Sequence, residues 1–521
     1  MGIGAGHLMR LVAIAQEWMD RGGRSILLAS SLPRQMLEPH IVGIEIRTLA
    51  SEDGGIPDQA HEVAGIATAE SADWIAIDGY RLDDSIENTL ASSGCLLMAM
   101  DDFGHATHSS AELVVFPHAG SLQDKPSANR LEKRYGSNWE LSGLKYVPVR
   151  NEFHNRKARR AESNPDEPFR IVVTMGAADP GNMTELVCEA IGAAGLKNQI
   201  ELDVVLGPDY RHRFGLAGTL ESASFNVVYH NQIAEPGRIF ATADLVVSAG
   251  GSTLYDLACL GIPAIALEIA GNQRPVIRSM VQAGCAVTVA GDDESLAQMV
   301  ESLVCDLAVS PNQLREMKAA GPLAVDGCGA GRIVQRMRAG RLIVRPANSA
   351  DCEALWRLRN DPQVRANSCS MSLVEVAEHQ QWLAQILADP SRYLFVLESA
   401  GGKISGQCRL DIDAKNASGT ISVSLTDEMR GCSVSRGVVS AAIGQVISRP
   451  SAESAPVEWI AWIRSGNKAS LRLFESLGFA KQGSENRTGG ELLKYCLTLP
   501  SGKMNCVTGD VTPEFCHADQ A

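Results

Sequence analysis

Short apolar runs alternate with stretches of helical spacing through the first 340 residues of the chain. Residues 24–30 and 44–49 have strand character, and Trp-Ile-Ala-Ile-Asp at 74–78, Leu-Leu-Met-Ala-Met at 96–100 and Leu-Val-Val-Phe at 113–116 continue the series. Residues 11–15 repeat apolar side chains at helical spacing directly behind a glycine-rich segment, 2–10. Polar residues from 154 to 168 interrupt the pattern, which resumes with a β-rich run at 170–174, an apolar strand ending at Leu245-Val246-Val247 and a helix over 253–260. Continuous apolar strands separated by amphipathic helices build parallel sheets covered on both faces. The expected class is therefore α/β, with two Rossmann-like lobes at 1–153 and 154–339.

The pattern changes near residue 340. A strand over 341–347 precedes a helix capped by Ser349-Ala350-Asp351 and a second helix over 374–387, followed by strands at 393–398, 405–411, 419–425 and 459–463. The change marks another domain, over 340–498. Residues 499–521, small and polar around Cys506 and Cys516, read as a mobile tail.

The chemistry concentrates where strands run into helices. In Ser248-Ala249-Gly250-Gly251-Ser252-Thr253-Leu254-Tyr255-Asp256 a loop without bulky side chains leads into a helix. Backbone N–H groups and the positive end of the helix dipole converge there on one point, as a phosphate requires. Gly250 and Gly251 permit close approach, Ser252 and Thr253 add hydroxyls, and Asp256 is placed to accept hydrogen bonds from ribose hydroxyls. An ordinary turn capped by Ser252 is the alternative. A second such loop, 175–184, carries Asn182 and Thr184, and two loops of this kind line a nucleotide crevice at the strand ends of a doubly wound sheet. Asp78, Asp101 and Asp102 close buried strands at the same edge, whereas Asp83 and Asp84 read as turn initiators. The loop 2–10 lacks the strand that should precede it, so the expectation is a first strand lost or lying upstream of Met1.

Composition narrows the partners. With a formal net charge of −14 over 521 residues, the chain repels phosphate backbones and acidic lipid surfaces, so no nucleic-acid partner is expected. Thirteen cysteines without a C-x-x-C pair indicate reduced thiols and a cytoplasmic location, and no apolar run is long enough for a membrane span. No metal is expected: His105, His108 and His118 have no ligand spacing and read as solvated loop residues. Oligomeric state leaves no mark on the pattern.

Over most of residues 2–335 the chain resembles the UDP-2,4-diacetamido-2,4,6-trideoxy-β-L-altropyranose hydrolases of pseudaminic acid biosynthesis. The matching elements are Gly4-Ala5-Gly6-His7-Leu8-Met9-Arg10, Asp78-Gly79-Tyr80, Asp101-Asp102, the 176–184 loop, the 250–263 run and Asn272-Gln273, in that order. That family is similar to the lipid-linked N-acetylglucosaminyl transferase of peptidoglycan synthesis and transfers its sugar to water. The resemblance implies a GT-B fold and a UDP-sugar substrate. It implies His7 as the group that activates water or steadies charge at the anomeric carbon, and UDP held by Gly250, Gly251, Ser252, Thr253 and Asp256. The sugar would contact Gly6, Arg10, Asp78, Tyr80, Asn182, Asn272 and Gln273.

Residues 341–498 resemble the GCN5-related N-acetyltransferases, most closely in Asn467-Lys468-Ala469-Ser470-Leu471-Arg472-Leu473-Phe474 and the Gly478-Phe479 turn. This implies an α+β fold for the domain and acetyl-CoA as cosubstrate, held by Arg430, Gly431, Ser433, Ser435 and Asn467. Ser433 and Ser435 replace the small residues of the family's Q/R-x-x-G-x-G/A loop, and Phe474 stands where many relatives have a tyrosine that protonates the departing thiolate. Together the resemblances imply a bifunctional enzyme that N-acetylates a 4-amino UDP-sugar and hydrolyses the product. Two alternatives stay open, a UDP-sugar glycosyltransferase with a protein-directed acetyltransferase, and a UDP-sugar-binding regulator with an inactive one. A legionaminic-type sugar is equally compatible.

Overall fold

The computed structural model describes residues 5–29, 40–50, 56–79, 83–104, 106–118, 139–154, 168–196, 200–212, 215–216, 225–231, 233, 235–289, 291, 293–368, 370–399, 401–432, 434–447, 458–487 and 490–498. They fall into two compact units. The first comprises the chain to Ile343 with Met429–Gly437, and the second comprises Val344–Glu428 and the chain from Val438.

The first unit is α/β with parallel sheets. β1 (Ile26–Ala29) pairs with β2 (Glu45–Thr48), and β3 (Trp74–Asp78), β4 (Leu96–Met100), β5 (Leu113–Phe116) and β6 (Trp139–Ser142) form a four-stranded parallel sheet in sequence order. A six-stranded sheet follows: β7 (Phe169–Thr174), β8 (Ile200–Leu206), β9 (Asn226–Asn231), β10 (Leu245–Ala249), β11 (Ala264–Leu267) and β12 (Ala286–Val289). Its spatial order is β12-β11-β10-β7-β8-β9, all parallel, so the winding reverses between β7 and β10. Every residue of β10 is buried, as a central strand of β-branched and aliphatic residues should be, while β9 at the edge is largely exposed. Ile171, Val173, Val247 and Ile265 pack on one face of this sheet, and Val172, Val246, Ala264 and Ala266 on the other. The expected α/β class with parallel sheets is thus present, and the six-stranded sheet has the doubly wound order, with strands β6, β8, β9, β11 and β12 added to those read from the apolar runs.

The second unit is α+β. Its sheet runs β13 (Leu342–Pro346), β14 (Arg392–Ser399), β15 (Ile404–Asp413), β16 (Ser418–Leu425), β17 (Glu458–Arg464), β19 (Gly490–Thr498) and β18 (Ala480–Arg487). β14, β15 and β16 are antiparallel neighbours, and β17 pairs antiparallel with β19. β16 and β17 are parallel, but their ladder covers only Ser418–Ile421 against Glu458–Ala461. Beyond Ile421 and Ala461 the two strands part, leaving Ser422–Leu425 and Trp462–Arg464 without a mutual ladder. Phe474 packs edge-on against Phe479, with ring centroids 5.0 Å apart, and both are buried.

Candidate functional site

In an open parallel sheet, ligands bind beyond the carboxyl ends of the strands where the winding reverses. The two loops singled out from the sequence follow the two strands at that point, β7 and β10. After β10 the chain enters the helix Thr253–Leu260. Gly250 N–H donates to Leu267 O at 2.9 Å and Gly251 N–H to Ala249 O at 2.8 Å, so those two donors are used inside the fold. Ser252, at the helix start, makes no side-chain cap, and the capped-turn alternative is not realised. The N–H groups of Ser252 and Thr253 are thereby the ones placed at the positive end of the helix dipole. The glycines divide their duties. A Cβ on Gly250 would stand 2.3 Å from Ile277 Cδ1 and 3.1 Å from Gln273 Cβ, whereas one on Gly251 would meet open space. Close packing of the fold, rather than a ligand, accounts for Gly250.

The amino-terminal helix, Ala5–Asp20, brings its first turn to this loop: a Cβ on Gly6 would lie 2.7 Å from Ser252 Oγ. His7 and Arg10, one turn apart on that helix, meet Asp78 at the end of β3 and Asp102 just beyond β4. His7 Nδ1 is 2.6 Å from Asp78 Oδ1. Arg10 donates Nε to Asp78 Oδ2 at 2.8 Å and Nη2 to Asp78 Oδ1 at 2.7 Å, and gives Nη1 and Nη2 to the two Asp102 oxygens at 2.7 and 3.0 Å. Arg10 Nη2 also approaches His7 Nδ1 to 2.8 Å. Both Nη2 hydrogens are directed at carboxylates, so that approach is a contact between two donors, and His7 Nδ1 carries the hydrogen that Asp78 accepts. The lone pair of the neutral ring then sits on Nε2. Burial would lower the Arg10 pKa, yet Asp78 and Asp102 outweigh it and push the guanidinium up. For Asp102 burial alone would raise the carboxyl, and Arg10 with His118 holds it well below the usual carboxylate range.

His118 and His108 correct the expectation of solvated loop histidines, being 1% and 2% exposed. The His118 ring stacks on Tyr255 at 5.7 Å between centroids, and its Nδ1 is 2.6 Å from the Tyr255 hydroxyl. His108 lies between Glu87 Oε1, at 2.5 Å, and Asp101 Oδ2, at 2.9 Å. Burial would lower its pKa, but these two carboxylates raise it to about 9. Asp101 also accepts the N–H groups of Phe103 and Gly104, each at 2.8 Å, which fixes the turn carrying Asp102. Asp83 caps the helix Asp84–Ala91 by accepting from Ile86 N–H at 2.9 Å, as its turn reading implies. His105 lies outside the described residues.

Around the other flank of the helix Thr253–Leu260, Asp256 faces Arg150, with Nη2 3.9 Å from Oδ2, and Arg150 contacts His40 at 2.8 Å and Glu152 at 3.3 Å. Burial raises the Asp256 carboxyl to about 7, with Arg150 opposing and Glu152 adding to the rise. In the second loop, Asn182 adopts a left-handed conformation, accepts the Tyr210 hydroxyl at 2.7 Å and donates to Glu185. Thr184 donates its hydroxyl to Asp179 at 2.6 Å. Gln273 accepts from Ile269 N–H at 3.0 Å, and Asn272 is exposed beside it. Tyr80 lies outside the described residues. The sequence does not mark Tyr255, Arg150 and Glu152 as candidates beside the proposed UDP and sugar residues, and it misplaces His118 in a solvated loop, because their partners lie far away along the chain.

Among the acetyl-CoA candidates, Arg430, Gly431 and Ser435 belong to the segment grouped with the first unit, and Asn467 to the second. Gly431 has φ +83°, a conformation that favours glycine, and it precedes the helix Val434–Ile447, which includes Ser435. Asn467 caps the helix Lys468–Ser476, accepting Ser470 N–H at 3.1 Å. Ser433 lies outside the described residues. In the described residues no group of three or more His, Cys, Asp or Glu side chains is arranged to hold a metal, and no helix is long and apolar enough to cross a membrane.

Over 269 residues the chain is 22% identical to an uncharacterized protein of Methanocaldococcus jannaschii, covering 51% of this chain and 53% of that protein. The chain thus spans about half the length of the curated relative it matches. Among solved structures it is similar to MurG of Acinetobacter baumannii, with 13% identity, 64% of this chain and 97% of that one covered, and a TM-score of 0.47. The ribosomal-protein-alanine N-acetyltransferase of Brucella melitensis is 25% identical, covering 30% of this chain and 99% of its own, with a TM-score of 0.27. The spermidine N-acetyltransferase of Vibrio cholerae in complex with CoA and spermine is 16% identical over 30% of this chain and 95% of its own, with a TM-score of 0.28. Residues 341–480 match the family model described as the acetyltransferase (GNAT) domain, so the chain carries a GNAT acetyltransferase domain behind a two-lobed α/β module.

Proposed function

We propose that the two-lobed module binds a UDP-sugar and hydrolyses it to UDP and free sugar, and that the GNAT domain N-acetylates the 4-amino precursor of that sugar with acetyl-CoA. The sugar class is the one the family resemblance implies, a 2,4-diacetamido-2,4,6-trideoxyhexose on the way to a nonulosonic acid. The observation that carries the reading is the position of His7. It is oriented by Asp78, one residue from a glycine that abuts Ser252 in the candidate diphosphate loop. In that reaction a water oxygen attacks the anomeric carbon, the bond to the UDP oxygen breaks, and His7 Nε2 takes the water proton. UDP departs with the electron pair toward the helix start at Ser252 and Thr253, whose N–H groups and dipole favour the growing negative charge. Asp256 would hold the ribose, and Arg430, Gly431 and Asn467 would hold acetyl-CoA, as expected from the sequence.

A second reading, an acetyltransferase module without turnover, draws on Phe474. It is buried and cannot protonate a thiolate. Proton NMR of the full chain with the 4-amino UDP-sugar and acetyl-CoA separates the two readings, because a new N-acetyl signal requires transfer and free UDP requires hydrolysis. His7→Asn should remove UDP release and leave acetyl transfer intact. Undiminished UDP release by that variant would remove His7 from the mechanism.

A further inference from the structure

Tyr255 belongs to the first turn of the helix Thr253–Leu260, the same turn whose N–H groups form the candidate diphosphate site. Its hydroxyl lies 2.6 Å from His118 Nδ1 and 3.1 Å from Nε2. The shorter contact is the hydrogen bond, with Tyr255 donating, because His118 Nε2 faces Asp102 Oδ1 at 3.5 Å and is the nitrogen that presents a hydrogen to that carboxylate. Asp102 accepts from Arg10, Arg10 donates to Asp78, and Asp78 accepts from His7. A continuous polar path therefore joins the helix of the β10 loop to the imidazole of His7. Each intermediate side chain is nearly inaccessible, with 2% of Tyr255 and 1% of His118 exposed and 9% of the Asp102 side chain. Buried, close-packed groups of this kind cannot absorb a shift of the helix start by sliding into empty space.

We propose that Tyr255 and His118 are positioning residues that transmit the seating of a nucleoside diphosphate at Ser252 and Thr253 to His7, so that the water-activating group is aligned only when the leaving group is in place. This rests on the UDP reading of the loop. Neither residue touches the reacting atoms; each acts through the carboxylate–guanidinium cluster. The device would suppress proton abstraction in the absence of substrate, and a link between two sites is reciprocal, so the state of His7 would also be felt at the loop.

The test is a UDP titration of the full chain with carbon-13 label in the histidine rings, the His7 signal being assigned by its loss in His7→Asn. In the unsubstituted protein UDP should move the His7 and His118 signals together. In Tyr255→Phe, which keeps the ring stack and removes the hydroxyl, calorimetry should give a UDP Kd within about twofold of the parent, while the UDP-induced His7 shift falls below about half. The kcat for UDP release should fall by roughly tenfold with KM little changed. His118→Gln, read in the same way, serves if Tyr255→Phe does not fold. A His7 shift of full size in a Tyr255→Phe protein that binds UDP normally overturns the inference. Absence of UDP binding by the unsubstituted protein removes the UDP reading itself, and the inference with it.

Discussion

Asp256 is the position where stability and the proposed ligand make opposite demands. Its carboxyl sits in the helix of the β10 loop with 18% of the side chain exposed, and among the described residues its cationic neighbour, Arg150, is 3.9 Å away and already engaged with Glu152. Burial raises its pKa from 3.8 to about 7, against the pull of Arg150. The folded state therefore binds this proton more tightly than the unfolded state. As pH rises from 3.8 the unfolded carboxyl ionises first, and stability is lost progressively until pH passes about 7, beyond which the loss is constant. At 1.36 kcal/mol per pH unit this is at most about 4 kcal/mol, and on the order of 1–3 once water penetration and relaxation are allowed for.

Asp256→Asn removes the charge and nearly preserves the shape. It should raise the unfolding free energy in urea at pH 8 by that 1–3 kcal/mol, with an advantage that shrinks as pH falls toward 4. The same substitution should weaken UDP binding by about tenfold to a hundredfold, because ribose hydroxyls donate more strongly to a carboxylate than to an amide. Urea titrations at pH 5, 6.5 and 8 and calorimetry with UDP supply both readouts. A variant less stable than the parent at pH 8 would refute the claim that ionised Asp256 is strained. Unchanged UDP affinity would refute its placement at the ribose.

His108 has the opposite sign. Clasped by Glu87 and Asp101 with a pKa raised from 6.5 to about 9, it lends stability that is full below pH 6.5 and lost as pH rises through 9. Discounted for solvent screening this is on the order of 1–2 kcal/mol, and urea unfolding between pH 6 and 10 should show it in the parent and not in His108→Gln. Arg10→Lys should behave as a disruptive change, since a single ammonium cannot supply the paired donors that Asp78 and Asp102 now receive. A loss of about 2–4 kcal/mol in stability and of at least a hundredfold in UDP-release kcat is expected from leaving buried carboxylates partly unpaired, checked by thermal unfolding and an end-point assay for UDP.

What could be read from the sequence follows from what is local. Leu245-Val246-Val247 announces a buried parallel strand because every residue of it faces packing, and the glycine loop behind it announces a helix start. Strand β9 escaped notice because Asn226–Asn231 sits at a sheet edge and lacks a continuous apolar run. His7, Arg10 and Asp78 were placed together by a resemblance, and their proximity spans 71 and 68 positions that no local pattern encodes. His118 illustrates the failure. A histidine two residues past a strand looks like loop, and its burial depends on a tyrosine 137 positions later. Gly250 was assigned to ligand approach when its small size is set by Ile277.

The electrostatics of the crevice also bear on how a chain of net charge −14 would hold a diphosphate. Among the described residues, the buried arginines beside the β10 loop and its helix are both committed, Arg10 to Asp78 and Asp102, and Arg150 to Glu152 with Asp256 at 3.9 Å. Neither offers a guanidinium as a point charge for phosphate. The attraction would come instead from the fixed dipoles at Ser252 and Thr253, which need no counter-ion and act over the first helical turn. Such a site gains less long-range attraction for any polyanion than an arginine cluster does, and discriminates by the fit of one diphosphate to two N–H groups. An acidic surface and an anionic substrate are thus compatible, since under the proposed function the selectivity would reside in backbone geometry that Gly250 and Gly6 allow.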